Sequence, residues 1–218
     1  MKQYDEKKLN TVRSEYAHSI LLESEAAGNP FDQFGQWISD AEKSEIPDYN
    51  AFTLSTNGDN GFPHSRILLL REFDRQGLVF FTNYGSNKGK ELEFSDKVCL
   101  SFFWNILERQ IRVYGVAHKV SNEESDDYFN SRPYESKISA WASIQSSELR
   151  HREELEANVA KYKALYPGPD VPRPDFWGGY RVVPHYFEFW QGRPSRLHDR
   201  LIYKVDADFE WFVHRLNP

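Results

Sequence analysis

Basic side chains occur at three places along the sequence where they could bind an anion, and the first place is a predicted strand followed by a predicted helix. Arg66 and Arg71 flank the apolar run ILLL in the strand. Ser86, Lys88 and Lys90 stand where the helix should begin. Free backbone N–H groups and the helix dipole favour an anion at such an N-terminus. These residues predict a site for a phosphorylated ligand, although basic residues beside a buried strand are about as often solvated surface groups.

The second place is a predicted helical junction that contains Tyr128, Arg132 and Ser136. Because Tyr128 and Arg132 are four residues apart, they should share one face of a helix. Pro133 is expected to open the next helix, which puts Ser136 in its first turn. A guanidinium group, hydroxyl groups and a helix N-terminus would suit a second phosphate. Without further context, a plain surface helix-turn-helix explains the pattern equally well.

The third place is the segment WQGRPSRLHDR near the C-terminus. Arg196, His198 and Arg200 occupy every second position, which in an extended segment would point all three side chains to one side. The neighbouring arginines should disfavour the protonated form of His198. A neutral histidine can accept a proton near neutral pH. The pattern therefore predicts a cluster that binds an anion or takes part in a reaction.

Several other chemistries are excluded by the sequence. The seven histidines are scattered and Cys99 is the single cysteine, so no metal site is expected. The segment GSNKGK looks like part of a phosphate-binding loop, but that motif would require glycine at Tyr84 and serine or threonine at Glu91. Neither a G-x-S-x-G motif nor a G-x-G-x-x-G motif occurs.

The composition predicts one folded domain in a reducing compartment. The chain has 218 residues, of which 39% are hydrophobic and 28% charged, as in ordinary globular proteins. Its net charge of −6 gives no global basic field for nucleic acid or anionic lipid. No apolar stretch approaches the roughly 20 residues of a membrane span, and the first residues lack the apolar segment of a signal peptide. With a single cysteine, no internal disulfide can form, and we expect a cytoplasmic protein without membrane or nucleic-acid partners.

The elements that must position these residues are mainly strands. Asn29 and Pro30 predict a helix start, and apolar residues from Phe31 to Ala41 at three-to-four spacing predict its buried face. From Ala51 onward consecutive strands are predicted, the first two joined by the turn NGDNG. A helical middle third ends at PGPDVPRP, after which strands resume. This order favours a small β-barrel with helices on its flank, preceded by a surface helix or mobile arm.

The three clusters resemble, in the same order, those of the pyridoxamine 5′-phosphate oxidase family. The similarity covers nearly the whole chain and is carried by RILLLR, FFTNYGSNKGKE, LERQIRVYG, YFNSRPYESKISAWAS, IQSS, FWGGYRV, FEFWQGRPSRLHDR and RLNP. It implies a mainly β fold with flanking helices, an FMN-binding split barrel of Greek-key-like antiparallel type. Residues 1–218 would form this single domain, with residues 1–22 as an N-terminal arm or lid. A homodimer with FMN at the subunit interface is also implied.

The reaction that the resemblance implies is oxidation of pyridoxine or pyridoxamine 5′-phosphate to pyridoxal 5′-phosphate, with O2 reduced to H2O2. FMN contacts would come from Arg66, Ile67, Leu68, Leu69, Leu70, Arg71, Phe81, Thr82, Ser86, Asn87, Lys88, Gln110, Gln145, Ser146, Trp190 and Arg200. Substrate contacts would come from Arg13, Tyr16, Arg71, Tyr128, Arg132, Ser136, Arg196, Leu197 and His198. Within that second set, Arg196 and His198 would orient the substrate and assist proton loss.

Two positions depart from the family pattern. Arg71 stands where many members carry lysine, which keeps the charge but changes its reach and hydrogen-bond geometry. Asn87 stands where arginine is common beside the FMN phosphate, so one cation of that site is missing.

Two other functions stay open at this point. A split-barrel flavin reductase or oxidase with another substrate would share the fold, but the second phosphate cluster and the RLHDR segment argue against it. A non-catalytic flavin or vitamin B6 carrier would keep the binding residues without turnover. Oxygen consumption by the purified protein would distinguish the carrier from an oxidase.

Overall fold

A computed structural model describes residues 15–17, 19–206 and 210–218. Its helices are α1 (Pro30–Lys43), α2 (Asn87–Phe94), α3 (Asn122–Ser131), α4 (Tyr134–Ala142) and α5 (Arg152–Leu165). Its strands are β1 (Ala51–Asn57), β2 (Pro63–Leu69), β3 (Glu72–Asp74), β4 (Gly77–Asn83), β5 (Lys97–Trp104), β6 (Arg109–Lys119), β7 (Trp177–Gln191), β8 (Asp199–Val205) and β9 (Trp211–Arg215). In the part of the chain that the structure describes, no helix is long and apolar enough to cross a membrane.

The strands form one antiparallel sheet in the order β2-β1-β5-β6-β7-β4-β3, with β8 added to β7 and β9 to β8. The sheet curls so that its two edges meet where the chain passes from β2 to β3. There the Leu70 N–H donates to the Asn50 carbonyl and the Arg71 N–H to the Val79 carbonyl, each at 2.9 Å. The predicted fold class, a mainly β split barrel with flanking helices, is confirmed.

Helix α1 begins as the sequence predicts and fills one opening of the barrel. The Asn29 side chain accepts a hydrogen bond from the Phe31 N–H, and Pro30 occupies the first helical position. Phe34 is fully buried, with its ring 5.3 Å from that of Phe102 and 6.2 Å from that of Phe187. Burial of one such ring contributes about 2–3 kcal/mol, so α1 joins strands from both halves of the sheet.

Strand β7 is the longest in the described chain and connects two ends of the molecule. Its first residues, 177–182, pair with β4, whereas residues 186–191 pair with β8. Trp177 and Trp190 therefore lie at opposite ends of β7, about 40 Å apart along an extended strand. This separation determines which candidate residues can meet within one chain.

Three expectations about the elements need correction. The strand predicted through Arg71 is interrupted, because Leu70 and Arg71 cross from one sheet edge to the other. Within the helical middle third that the sequence predicts, residues 147–151 are not helical, and α5 begins at Arg152. Between positions 15 and 22, the described residues are not helical. Leu21 nevertheless packs in the core at 6% exposure, and residues 1–14 and 18 lie outside the described residues.

Candidate active site

The N-terminus of α2 forms a cradle for an anion. Ser86 is its N-cap, and its Oγ accepts from the Gly89 N–H at 3.4 Å. Lys88 Nζ donates to the same oxygen at 3.1 Å, although Lys88 is only 6% exposed. Burial, together with the charge of Arg66, lowers the pKa of Lys88 to about 8, against the opposing effect of Glu91. A buried cation with no carboxylate in contact, at a helix N-terminus, is a strong indication of an anionic ligand.

Gly89 is required for this geometry. A Cβ atom there would lie 1.9 Å from the Tyr84 carbonyl oxygen, which is backbone and cannot move aside. Glycine thus allows α2 to start directly against the turn that carries Ser86.

A cleft of about 330 Å³ opens beside the cradle, and its lining contains Arg66, Ile67, Leu68, Asn87, Lys88, Gln145 and Ser146. Ser146 has φ +70°, a left-handed conformation that brings its loop over the helix start. The sequence analysis assigned all seven residues to FMN, and the structure brings them together in one chain. Leu70, from the same set, is buried at 5% exposure and does not line the cleft.

A second cleft of about 310 Å³ adjoins the first, since Ile67, Leu68 and Gln145 line both. Its remaining lining residues are Leu69, Arg71, Phe81, Thr82, Asn83, Tyr128, Arg132 and Trp177. Two adjoining clefts, each with its own basic residues, could hold two phosphorylated molecules side by side.

Arg132 is the most informative side chain of the second cleft. Its guanidinium carbon lies 4.6 Å from the centre of the Trp177 ring, a cation–π distance. Its NH1 atom is buried without a hydrogen-bond partner. Burial, and the nearby charge of Arg71, hold the pKa of Arg132 below its usual range. A buried guanidinium nitrogen without a partner is expected where an anion completes the site.

Aromatic rings form the base of this cleft. The Phe81 and Tyr128 rings are stacked at 3.9 Å, and Trp177 lies parallel to Phe81 at 5.7 Å. Arg71 lies 5.7 Å from the Tyr128 ring centre. Such a rigid aromatic layer can hold cationic groups in place at little conformational cost.

The predicted helical arrangement of the second cluster is wrong in one respect. Tyr128 lies in α3, but Arg132 is the C-cap with ψ 149°, so the two do not share a helical face. The reason is Pro133, which disfavours helical geometry in the residue before it. Both residues nevertheless line the second cleft. Ser136 does lie in the first turn of α4, but it is absent from the residues that line either cleft.

The third cluster surrounds Trp190 at the far end of β7. The His198 ring lies 4.6 Å from the Trp190 ring, and Tyr16 meets both rings edge-on at 5.7 and 5.8 Å. Gln110 and Arg200 are the register partners of Trp190 on β6 and β8. The structure therefore brings together five of the residues assigned to flavin or substrate.

His198 has a defined hydrogen bond. Its Nδ1 accepts from the Arg193 backbone N–H at 3.1 Å, so the neutral ring carries its proton on Nε2. Burial and the charge of Arg196 lower the pKa of His198, with Asp199 acting in the opposite direction. The lowered pKa agrees with the neutral His198 that the sequence predicts. In this tautomer, the Nε2–H group can donate a hydrogen bond to a ligand.

The predicted alternation of Arg196, His198 and Arg200 is wrong. Residues 194–196 form a short 3-10 turn in which Ser195 and Arg196 have φ +57° and +63°. β8 begins only at Asp199. The left-handed pair, which costs about 1–2 kcal/mol per residue, bends the chain and leaves Arg196 and Leu197 exposed. Strain of this size is most often retained at functional sites.

Three further residues, which were not identified from the sequence, contact members of these clusters. They are Glu188, Glu91 and Trp177. Glu188, 2% exposed, accepts from Arg200 Nε at 3.0 Å and also contacts Arg112 and the Tyr186 hydroxyl. Glu91 contacts Arg66 at 2.9 Å. Trp177 lies within the FWGGYRV segment, so its role could have been found from that motif.

The third cluster does not meet the other two within one chain. None of its described residues lines either cleft. The clefts lie at the Trp177 end of β7, and the cluster lies at the Trp190 end. Arg13 is outside the described residues. Among the residues that are described, no group of three or more His, Cys, Asp or Glu side chains could hold a metal ion.

Comparisons with known proteins agree over nearly the whole chain. A family model described as pyridoxamine 5′-phosphate oxidase matches residues 38–166, and one described as the pyridoxine 5′-phosphate oxidase C-terminal dimerisation region matches residues 177–218. Pyridoxine/pyridoxamine 5′-phosphate oxidase of Bordetella avium is 50% identical over 96% of this chain and 99% of its own. The protein of the same name from Thermosynechococcus vestitus is 51% identical over 95% of this chain and 97% of its own.

Solved structures also resemble this chain. PhzG from Burkholderia lata, in complex with tetrahydrophenazine-1-carboxylic acid, is 30% identical with a TM-score of 0.85, covering 91% of this chain and 98% of that one. A pyridoxamine 5′-phosphate oxidase-related, FMN binding protein from Nostoc punctiforme has a TM-score of 0.70 at 16% identity, covering 88% of this chain and 100% of that one. The second likeness concerns the fold alone.

Proposed function

This chain belongs to the pyridoxamine 5′-phosphate oxidase family, and we propose that it oxidises pyridoxine and pyridoxamine 5′-phosphate to pyridoxal 5′-phosphate with FMN, reducing O2 to H2O2. The observation that carries the proposal is Arg132, a half-buried cation whose NH1 atom is buried without a hydrogen-bond partner, in a cleft next to a separate anion cradle. Two phosphate sites side by side are what a phosphorylated flavin and a phosphorylated substrate require.

The residues of the first cleft suit FMN. Lys88 and Arg66 offer cations, and the start of α2 offers backbone N–H groups, to a terminal phosphate. Ser86 itself is fully buried and donates to the Asn83 carbonyl, so it would act by holding Lys88 and the helix start in place. Gln145 offers an amide, and Ile67 and Leu68 an apolar wall, to a flat ring system. When bound, FMN would accept a hydride from the substrate carbon and pass the electrons to oxygen.

The second cleft would hold the substrate. Arg132 and Arg71 would bind its phosphate, and the Tyr128 hydroxyl would add a hydrogen bond. Because the two clefts share Ile67 and Leu68, a substrate anchored there would lie against the flavin site. The work of the protein is then to orient and desolvate the reacting groups.

A second copy of the chain would complete each site. Five residues assigned to flavin or substrate lie at the Trp190 end of β7 and line neither cleft of their own chain: Gln110, Trp190, Arg196, His198 and Arg200. A homodimer that places the Trp190 end of one copy against the clefts of the other would resolve this. The match of residues 177–218 to a dimerisation region supports that arrangement.

His198 and Arg196 would act on the substrate from that second copy. Since His198 Nδ1 already accepts from Arg193, Nε2–H would donate to a substrate oxygen and orient it. Accepting a proton would require the ring to release that backbone N–H. Tyr16, packed on Trp190 and His198, would help to exclude water as part of a lid formed by residues 1–22.

The decisive experiment is anaerobic titration of the FMN-loaded protein with pyridoxine 5′-phosphate. Bleaching of the flavin absorbance, followed by recovery and stoichiometric H2O2 on admission of oxygen, is the expected result. Pyridoxine, which lacks the phosphate, should bleach the flavin poorly. The likeness to PhzG makes a non-phosphorylated substrate the main rival. Equal bleaching by both vitamers, or none by the phosphate ester, would reject the proposal in favour of such a rival or of a carrier.

A further inference from the structure

A buried carboxylate lies next to the cradle that is assigned to the FMN phosphate. Glu91 is on α2, one turn after Lys88, and is 8% exposed. Its Oε2 accepts from Arg66 NH2 at 2.9 Å and from the Thr56 hydroxyl at 2.5 Å. Its Oε1 lies 2.5 Å from His64 Nδ1. An anion-binding site thus contains a fixed negative charge of its own.

The charges of this site are not equally balanced. Arg66 forms an ion pair with Glu91, and its NH1 atom also donates to Thr56 at 2.5 Å and to the His64 carbonyl at 3.2 Å. Lys88 contacts the Ser86 hydroxyl but no carboxylate. The hydrogen bonds from His64, Thr56 and Arg66 outweigh burial and keep the pKa of Glu91 below its ordinary value. Glu91 is therefore charged at neutral pH.

We propose that Glu91 is the counter-ion of this cradle, a positioning residue that makes the buried Lys88 and the partly buried Arg66 tolerable side by side before FMN binds and thereby weakens the binding of the FMN phosphate. The inference rests on the proposed use of FMN. Without a ligand, Arg66 and Lys88 repel each other, and Glu91 attracts both. Once a phosphate group occupies the cradle, the same carboxylate repels it at close range.

The test compares two ligands that differ by the phosphate. Wild-type and Glu91→Gln apo-proteins are titrated with FMN and with riboflavin by flavin fluorescence. Glutamine keeps the shape and can still accept from Arg66. We expect the FMN dissociation constant to fall about tenfold, the effect of one unit charge at roughly 10 Å in a medium of effective dielectric about 20. Riboflavin affinity should change less than about threefold, and the apo-protein should melt at a lower temperature.

The titrations are performed at pH 6.5, below the pKa of about 8 of Lys88 in the wild-type protein, because loss of Glu91 removes an interaction that raises this pKa and a low pH limits deprotonation of Lys88 in the variant. Glu93→Gln is the matched control. It removes the same charge two residues further along α2, from an exposed side chain that pairs with Lys119 at 3.4 Å. Neither flavin affinity nor melting temperature should change appreciably in that variant.

Glu91→Asp keeps the charge and tests geometry. Its ratio of FMN to riboflavin affinity should stay within about threefold of wild type, and a rise equal to that of Glu91→Gln would overturn the inference. If the Glu91→Gln protein does not fold without flavin, the ratio of FMN to riboflavin affinity is obtained from the melting temperatures measured with each flavin added. The inference would also be overturned if Glu91→Gln bound FMN no more tightly than the wild type while it bound riboflavin normally. Failure of the wild-type protein to bind FMN would instead reject the proposed function.

Discussion

Replacing Arg132 with methionine should weaken substrate binding and yet stabilise the protein without substrate. Hydrogen bonds from a guanidinium group to an anion contribute about 1.5–3 kcal/mol each. Their loss corresponds to a roughly ten- to hundredfold larger dissociation constant for pyridoxine 5′-phosphate. The FMN dissociation constant should change little, because Arg132 lines the second cleft and not the first.

The stabilisation follows from the unpartnered NH1 atom. A buried donor without a partner costs about 1–3 kcal/mol, and NH1 is such a donor in the structure without ligand. Methionine removes it and keeps a favourable contact with the Trp177 ring. For a chain of this size, the melting temperature should rise by roughly 2–4 °C per kcal/mol gained. Arg173→Met is the contrasting variant, because Arg173 also adjoins Trp177 but is bonded to Asp126 and should lose stability.

Two measurements decide the matter. Anaerobic flavin reduction at varied pyridoxine 5′-phosphate gives the substrate affinity, with pyridoxine as the ligand without a phosphate. Thermal melting of the apo-proteins gives the stability. Equal loss of FMN and substrate affinity in Arg132→Met would refute the division into two phosphate sites. A fall in melting temperature like that of Arg173→Met would refute the statement that the NH1 atom of Arg132 lacks a partner.

Further predictions concern the cofactor, the second copy and the third cluster. The flavin released from the purified protein should be FMN by mass spectrometry, and FAD would contradict the terminal-phosphate cradle. Co-expressed Arg132→Met and Arg196→Ala chains should regain part of the activity that each lacks alone, because hybrid dimers contain one intact site; no recovery would contradict a shared site. His198→Asn retains a hydrogen-bond donor, so its rate of flavin reduction should stay within about tenfold of the wild-type rate. His198→Leu should lower this rate further, and a hundredfold loss in both variants would indicate proton transfer. Since the pKa of His198 is lowered from 6.5, the rate of flavin reduction should be level above pH 6.5 and decline only at lower pH. Gly192→Ala places a Cβ 2.7 Å from the Tyr16 ring and should raise the KM more than it lowers kcat.

The elements of the fold could be predicted because their signals are local. Asn29 and Pro30 start α1, and alternation from Ala51 onward gives the strands, as observed. The break at Leu70 and Arg71 could not be predicted, since it depends on which edges of the sheet those strands join. The course of residues 194–198 was also missed, because two left-handed residues without glycine have no signature in the sequence.

The sequence indicates which residue types gather at the start of α2, but not which clusters lie together in the folded chain. Cations and hydroxyl groups at a helix start indicate a phosphate, and Ser86 and Lys88 lie there as expected. That the cluster around Trp190 is remote from this cradle could not be predicted, because the separation follows from the length and pairing of β7. The ion pair between Glu91 on α2 and Arg66 on β2 is likewise a long-range contact.

Pairing, rather than position along the sequence, separates structural cations from those that require a ligand. Arg109 and Arg215 are bonded to Asp40 and Asp199, so their charges are balanced within the folded chain. Among the described residues, no carboxylate contacts the buried amino group of Lys88 or the guanidinium group of Arg132. An uncompensated buried charge costs several kcal/mol, and an incoming anion would offset this cost. Because these two cations belong to adjoining but different clefts, the proposed function assigns a separate phosphate to each.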